Sequence, residues 1–464
     1  MNLLHAVAGC PCRGGQKHIL CGRQLRRDSG GMAREVSGDL GREKEMEENV
    51  NAHSRPSQLE ITDMRVAHIR GAPFNAVVLR LDTNQGISGY GEVRDGGSKT
   101  YALMLKNRIV GENPCNVDRI FRKIKQFGHH GRQGGGVCAV EMALMDLAGK
   151  AYGVPAYQLA GGKFRDRILC YCDTPSVRDG KEMGQRLKAR VEKGFGFLKM
   201  DVGIGLIRDV PGALIAPPGM LDSSSVMHPF TGIQITDKGI DLLCQYVAEV
   251  RAEVGYEVPL AVDHFGHLGL ESCIRLGKAL DQFSLAWYED MIPWQFADQY
   301  ARLAAAVDTP ICTGEDIYLK EGFRELIERR AVAVIHPDLA TSGGILETKK
   351  IGDLAQEHGI AMALHMAMSP IAALASVHCA AATENFMVLE NHSVDELERW
   401  SSLVDGLPRP LVEEGHIQVP ETPGLGFSSI NEELMREHLD PDDPVFFAST
   451  EAWDEERASD RLWS

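Results

Sequence analysis

Six short apolar runs between residues 258 and 393 each end in a polar residue that is able to take part in chemistry. The runs follow one another at intervals of 23 to 27 residues, and segments with helical periodicity, such as 271–283, lie between them. Runs of this length are typical of buried parallel strands, and repeated strand–helix units can close into a barrel. Because every barrel strand opens its carboxyl end onto one face, we expect the six polar residues to meet there. They are Asp263, Glu289, Glu315, Asp338, His365 and Glu390.

The sequence as a whole divides into four predicted parts. Residues 57–168 place strand-like runs before helical segments, an order that is typical of an α+β domain. Residues 169–396 are predicted to form the barrel, and residues 397–464 to pack back on the first domain. Residues 1–56 lack a sustained apolar period and are interpreted as a disordered extension. A Gly-rich stretch, GHHGRQGGG at 128–136, is either a mobile flap over a pocket or a plain linker between helices.

One predicted barrel strand, GFGFLKMDVG, ends in two charged residues. Alternation along a strand places Lys199 and Asp201 on one face and Met200 on the other. The Pro-, Gly- and Ser-rich residues 203–236 follow directly and lack a helical period. Long loops in compact domains are usually functional or disordered, and this one leaves the active-site end of a strand. We therefore interpret residues 203–236 as an insertion close to the substrate.

Composition excludes several classes of partner. The net charge of −16 argues against nucleic acid, because phosphate binding requires a basic face. No apolar run approaches the length of a membrane span. The 11 cysteines are scattered without CxxC spacing, which is typical of reduced thiols in a cytosolic protein. We therefore expect a cytoplasmic protein that acts on a small molecule, without nucleic acid or membrane partners.

Three carboxylates end consecutive predicted strands: Asp263, Glu289 and Glu315. A single carboxylate is more often a surface or capping residue, but the equal intervals argue against that interpretation here. Converging acidic side chains repel one another unless a cation neutralises them. Hard oxygen ligands without a paired His or Cys favour Mg²⁺ over zinc. The pattern therefore predicts a Mg²⁺ site.

His365 and its neighbours predict acid–base chemistry. A lone histidine after an apolar run is more often a core residue, but Asp338 ends the neighbouring strand, within about 5 Å. A carboxylate on one imidazole nitrogen fixes the tautomer and raises the basicity of the other, which makes a general base. Lys199 either neutralises a substrate carboxylate or acts as an acid/base group from the opposite side. Glu390 is either a carboxylic acid that hydrogen-bonds a developing enolate oxygen or a structural acid.

From about residue 58 onward, some 400 residues resemble the enolase superfamily in its mandelate racemase/muconate lactonizing enzyme branch. The resemblance rests on VEMALMDLAGKAYGVPAYQLAGG, the KxD strand end, the three acids and the Asp338/His365 pair. It implies a modified (β/α)7β TIM-like barrel with an α+β capping domain and one Mg²⁺ per subunit. It also implies abstraction of the proton α to a substrate carboxylate, giving an enediolate, and a homo-oligomer. The HIRGAPFN and GHHGRQGGG stretches would contact the substrate.

Two departures from the family pattern narrow the chemistry. Racemases of this branch carry a second lysine, their second base, at the position of Asp201. The absence of that lysine here favours elimination with one base. Several sugar-acid dehydratases carry a histidine two residues after the first metal ligand, where this chain has Phe265. His264 and His267 lie beside that position. Because alternation turns His264 away from Asp263, His267 is the better candidate for an additional acid.

These features predict a Mg²⁺-dependent sugar-acid dehydratase. His365, or Lys199 on the other face, takes the α proton, a β-hydroxyl leaves, and the enol tautomerises to a 2-keto-3-deoxy acid. A cycloisomerase or epimerase of sugar acids or lactones is the alternative with the same first step. A non-catalytic sugar-acid-binding relative and a scaffolding barrel are further alternatives, and the ionisable strand ends argue against both. The residues expected at a polar edge suited to a hydroxyl-rich substrate are His264, His267, Tyr288, Trp294 and His392.

Overall fold

The computed structural model describes residues 54–71, 75–128, 131–221, 231–263 and 266–455. The predicted N-terminal extension lies almost entirely outside the described residues, and so do His264 and Phe265. Parts of the HIRGAPFN, GHHGRQGGG and 203–236 stretches also lie outside them.

The first domain is built on an antiparallel sheet in the order β1–β2–β3, packed against one long helix. Its elements are β1 (Ile61–Ile69), β2 (Ala76–Thr83), β3 (Ser88–Val93), α1 (Lys99–Leu103), α2 (Lys106–Ile109), α3 (Val117–Ile124), α4 (Gly135–Tyr152) and α5 (Ala156–Leu159). Helix α4 approaches β3 so closely that a Cβ on Gly91 would overlap the backbone carbonyl oxygen of Ala139. The glycines of the SGYGEV strand therefore allow this packing.

Eight parallel strands form a closed barrel, because its last strand pairs with its first. The elements of this region are β4 (Arg167–Asp173), α6 (Gly180–Glu192), β5 (Leu198–Asp201), β6 (Leu214–Ile215), β7 (Gln234–Ile235), α7 (Asp237–Val254), β8 (Leu260–Asp263), α8 (Leu270–Leu280), β9 (Tyr288–Glu289), α9 (Ala297–Ala304), β10 (Ile311–Thr313), α10 (Leu319–Glu328), β11 (Val334–Ile335), α11 (Leu339–Ser342), α12 (Gly344–Glu357), β12 (Ala361–Leu364), α13 (Pro370–Ala382) and β13 (Phe386–Asn391). Strands β6 and β7 pair only with each other, inside the insertion. The predicted (β/α)7β barrel is confirmed.

An apolar cluster, which forms the floor of the site, fills the barrel below the ends of its strands. Each barrel strand, or the residue before it, supplies one member: Tyr171, Phe197, Ala261, Trp287, Cys312, Val334, Ala363 and Val388. Because side chains alternate along a strand, the residue two positions further on faces the same way. The inward positions above this floor therefore include Lys199, Asp263, Glu289, His365 and Glu390. The floor fixes which polar residues point into the barrel mouth.

Two buried glutamates of the first domain hold it to barrel helices. Glu92, at the end of β3, accepts hydrogen bonds from the amide of Ser369 at 3.1 Å and from a second amide in the first turn of α13 at 3.2 Å. Glu141, in α4, accepts from two amides in the first turn of α12 at 2.6 and 3.0 Å. The first amides of a helix have no partner within it, so each glutamate satisfies donors that would otherwise be buried without one.

The C-terminal segment contacts both domains. Its elements are α14 (Leu397–Ser401), β14 (Val404–Asp405), β15 (His416–Gln418), β16 (Ser429–Ile430) and α15 (Glu432–Glu437). Strand β15 pairs antiparallel with β4, and Leu439 and Phe446 form single bridges to β1. The exact domain boundaries stay a prediction. Within the described ranges, no helix is both long and apolar enough to cross a membrane.

Candidate active site

Lys199 lies among three buried carboxylates at the mouth of the barrel. Its Nζ is 3.0 Å from Asp263 Oδ2, 3.2 Å from Glu289 Oε1 and 2.8 Å from Glu390 Oε1. Burial alone lowers the pKa of an ammonium, but these carboxylates hold the pKa of Lys199 well above its usual value. The lysine is therefore charged, and its single positive charge does not balance three carboxylates.

Asp290 is a further buried acid beside these carboxylates. It follows Glu289 with a φ of 46°, a left-handed conformation that residues other than glycine rarely adopt, and such strain clusters at functional sites. Its carboxyl accepts a hydrogen bond from Thr313 Oγ1 at 2.5 Å. Burial, and then the carboxylates of Glu315, Asp263 and Glu289, hold the pKa of Asp290 well above its usual value. The excess of acidic oxygens suits a divalent cation with oxygen ligands.

His365 and Asp338 form the predicted pair. His365 Nδ1 lies 2.6 Å from Asp338 Oδ2, and the other oxygen of Asp338 accepts from the amide of Ala340 at 2.7 Å. His365 Nε2 lies 3.1 Å from Glu315 Oε2. Burial lowers the pKa of His365, but neighbouring carboxylates, chiefly Glu315, outweigh it and raise the pKa to about 9. The pair thus leaves Nε2 facing the acids of the site.

Glu390 lies between the lysine and histidine side chains. Its Oε1 is 2.8 Å from Lys199 Nζ and 3.2 Å from His392 Nε2. Despite its burial, Lys199, His365 and His392 hold the pKa of Glu390 well below its usual value. It is therefore a carboxylate in this arrangement, whereas the donor role predicted above requires the protonated acid. That role stays a prediction.

Asp201 and His267 line a cavity of about 390 Å³ together with Arg178 and Arg208. Asp201 pairs in register with Asp263 on the neighbouring strand, and its Oδ2 accepts from Ser176 Oγ at 2.9 Å. The volume lies within the range of about 300–1,000 Å³ that is usual for small-molecule sites. The structure therefore brings two of the three additional candidates to one cavity; the third, His264, is not among the described residues.

Tyr288 does not lie at the edge of the site, and that expectation was wrong. It precedes the inward-facing Glu289, so alternation turns it outward, where its hydroxyl donates to the Gly277 carbonyl at 2.9 Å. Trp294 is partly buried and packs against the main core. His392 does face the site, through Glu390.

Two site residues were absent from the sequence prediction. His336 Nδ1 lies 2.9 Å from Glu289 Oε1, and its Nε2 lies 2.7 Å from the Tyr171 hydroxyl. Counting two positions beyond the apolar floor residue Val334 would have found it. Arg94, directly after β3 in the first domain, contacts Asp338, His365 and Glu315. Nothing in its local sequence signals this, because the contact depends on how the two domains pack.

Groups of potential metal ligands also occur in other combinations. Among the described residues, two sets of three side chains bring ligand atoms within 4.8 Å of one another. One set is Glu289, Cys312 and His336, and the other is His365, Glu390 and His392. Both include nitrogen or sulfur atoms, which suit Mg²⁺ less well than an all-carboxylate set.

Comparison with known proteins identifies the family. Residues 46–161 match the model described as the mandelate racemase/muconate lactonizing enzyme N-terminal domain, and residues 182–434 match the enolase C-terminal domain-like model. The chain is 34% identical over 379 residues to a D-xylonate dehydratase of Haloferax volcanii, which covers 80% of this chain and 86% of the relative. It is 28% identical to a D-galactonate dehydratase of Ralstonia nicotianae, covering 79% and 91%.

A solved structure agrees with these matches. A mandelate racemase/muconate lactonizing enzyme-like protein from Rubrobacter xylanophilus superposes with a TM-score of 0.74 at 31% identity, covering 84% of this chain and 99% of that one. The sequence matches thus cover parts of both the first domain and the barrel, and the structural match covers most of the chain. The chain belongs to the enolase superfamily, in its mandelate racemase/muconate lactonizing enzyme branch.

Proposed function

We propose that this protein is a Mg²⁺-dependent sugar-acid dehydratase that converts a hydroxylated carboxylic acid to a 2-keto-3-deoxy acid. One observation carries the proposal: at one barrel mouth, the Asp338–His365 pair and the charged Lys199 flank a set of buried carboxylates. The names of the D-xylonate and D-galactonate dehydratase relatives favour the same reaction.

Asp263, Glu289 and Glu315 would hold the metal ion. All three offer oxygen ligands: Asp263 and Glu289 both contact Lys199 Nζ, at 3.0 and 3.2 Å, and Glu315 Oε2 lies 3.1 Å from His365 Nε2. When bound, Mg²⁺ supplies electrostatic stabilisation of the negative charge that develops on the substrate carboxylate. Glu315, if engaged as a metal ligand, would raise the pKa of His365 less than it does here, so that His365 would act as a base closer to neutral pH.

The remaining residues then have defined roles. Lys199 neutralises the substrate carboxylate, and His365 Nε2 takes the α proton while Asp338 holds Nδ1–H. The electrons of the broken C–H bond form a C=C bond, and the β C–O bond breaks. The departing hydroxyl receives a proton from His267, or back from His365, and leaves as water. The resulting enol tautomerises to the keto acid. Asp201 in place of a second lysine favours this one-base course over racemisation.

The proposal is tested by incubating purified protein and Mg²⁺ with a set of mono- and diacid sugars. Products are followed by a colour reaction for 2-keto acids and by proton NMR in D₂O. Keto-acid formation from one sugar acid supports dehydration and identifies the substrate. Deuterium exchange at the α carbon without keto acid would favour a cycloisomerase or epimerase. No reaction with any of them would contradict the proposal.

A further inference from the structure

A buried arginine of the first domain reaches the acid–base pair of the barrel. Arg94 lies one residue beyond β3 and is 2% exposed. Its Nη1 forms an ion pair with Asp338 Oδ2 and lies 2.9 Å from His365 Nδ1. Its Nη2 lies 3.4 Å from Glu315 Oε1, and its Nε lies 3.0 Å from Asp95 Oδ1. One guanidinium thus contacts the histidine, its carboxylate partner and a further acid of the site.

The contacts of Asp338 show what this guanidinium does. Oδ1 of Asp338 accepts a hydrogen bond from the amide of Ala340, while Oδ2 of Asp338 accepts from Arg94 Nη1 and contacts His365 Nδ1. Because both oxygens have fixed partners, the carboxylate cannot rotate without losing at least one of them. A fixed Asp338 in turn fixes the imidazole ring, with Nδ1 toward the carboxylate and Nε2 toward the site.

The position of Arg94 depends on how the domains dock. Glu92, two residues earlier, is bound to amides at the start of α13. A Cβ on Gly135, the first residue of α4, would come within 2.9 Å of the Arg94 backbone nitrogen. The chain at Arg94 therefore packs closely against a helix of its own domain, and two residues earlier Glu92 ties it to a barrel helix. A guanidinium buried in this way needs its carboxylate partners, because an unpaired buried charge is costly.

We propose that Arg94 is a positioning residue, which holds Asp338 and through it the base His365, so that the catalytic pair is complete only when the first domain is docked. The reaction that it serves is the proposed dehydration, and in that respect the inference rests on the proposed function. The positioning of His365 can be measured without any substrate.

The test compares R94M and R94K with R80M. Arg80 is an arginine of the same domain that is paired with Asp82 at 2.9 Å, remote from the barrel mouth. R94M is expected to lower kcat by about 100-fold, the cost of a misplacement of about 1 Å, with a smaller change in KM. R94K keeps the charge but not the planar fork, so its kcat should fall less than that of R94M. R80M should keep the wild-type kcat.

The second readout is the Nδ1–H proton resonance of His365, identified by its absence in H365N. We expect this resonance to shift or broaden in R94M and to stay unchanged in R80M. If R94M does not fold, the same change is expected in R94K. An unchanged resonance would overturn the proposal even with a lower kcat, and so would a wild-type kcat in both Arg94 variants. Absence of the resonance from the wild-type protein would contradict the fixed pair. If the wild-type protein forms no keto acid, the proposed function fails, while the resonance still decides whether Arg94 positions His365.

Discussion

Two groups of buried acidic side chains in this molecule have different partners. At the barrel mouth, Asp263, Glu289 and Glu390 face the ammonium of Lys199. Between the domains, Glu92 and Glu141 accept hydrogen bonds from backbone amides at the starts of helices. A backbone amide cannot withdraw without disrupting its helix, but a lysine side chain can change rotamer. The acids at the barrel mouth can therefore replace the lysine ammonium with another cation. The acids between the domains keep their amide partners and stabilise the fold.

The same comparison explains why burial acts differently on the two groups. Burial raises the pKa of Glu92 to about 7 and that of Glu141 to about 8, although amide hydrogen bonds oppose the shift. Glu390 is just as buried, yet its pKa lies well below the usual value because Lys199, His365 and His392 are close. Neighbouring charge thus outweighs burial at Glu390, whereas burial outweighs the amide hydrogen bonds at Glu92 and Glu141.

The largest expected effect comes from E289Q, which removes one carboxylate charge from the mouth. Loss of even an outer partner of a metal ligand costs about 10- to 100-fold in metal affinity, so loss of a ligand charge should cost at least as much. We expect turnover to be abolished. Calorimetric titration with Mg²⁺ and the keto-acid assay measure both effects. E141Q, the matched change between the domains, should bind Mg²⁺ like the wild-type protein. Full activity in E289Q would refute the assignment of this acid to the metal site.

H365N should separate catalysis from metal binding within the barrel mouth. Removing a general base costs about 10²- to 10⁴-fold in rate, and Asn cannot take up a proton. The Mg²⁺ affinity should stay close to that of the wild-type protein, because His365 is not among the proposed metal ligands. The same titration and rate assay apply. A loss of Mg²⁺ binding in this variant would show that the histidine belongs to the metal site instead.

E141A should affect the fold but not the metal site. It leaves two amides at the start of α12 without their acceptor, at about 1–3 kcal/mol for each buried group. We expect the free energy of unfolding in urea to fall accordingly, whereas the folded variant keeps the Mg²⁺ affinity of the wild-type protein. Wild-type stability in E141A would show that this carboxylate does not hold the domains together.

The last effect is a dependence of stability on pH. Folding raises the pKa of Glu141 from 4.5 to about 8. Between these values the folded protein keeps a proton that the unfolded chain releases, so stability falls as the pH rises from about 5 to 8. Because Gln does not titrate, E141Q should show a shallower fall in its urea midpoint over that range. Equal slopes for the two proteins would contradict the pKa shift.

The barrel could be predicted from the sequence because each buried strand leaves a local pattern. The same alternation would have identified His336 from Val334 and excluded Tyr288, since both follow from which residues face the floor. Arg94 could not be predicted, because its contacts depend on the docking of a domain more than 200 residues away in the chain. The inward-facing barrel residues of the site can thus be predicted from local patterns. The contribution of the first domain cannot, because it depends on long-range packing.

The most direct test of the account is to locate the cation itself. Crystals soaked with Mn²⁺, which prefers similar oxygen ligands to Mg²⁺, would show the ion by anomalous diffraction. We predict one peak, coordinated by Asp263, Glu289 and Glu315. A peak at His365, Glu390 and His392, or at Glu289, Cys312 and His336, would contradict it, as would a barrel mouth without any peak.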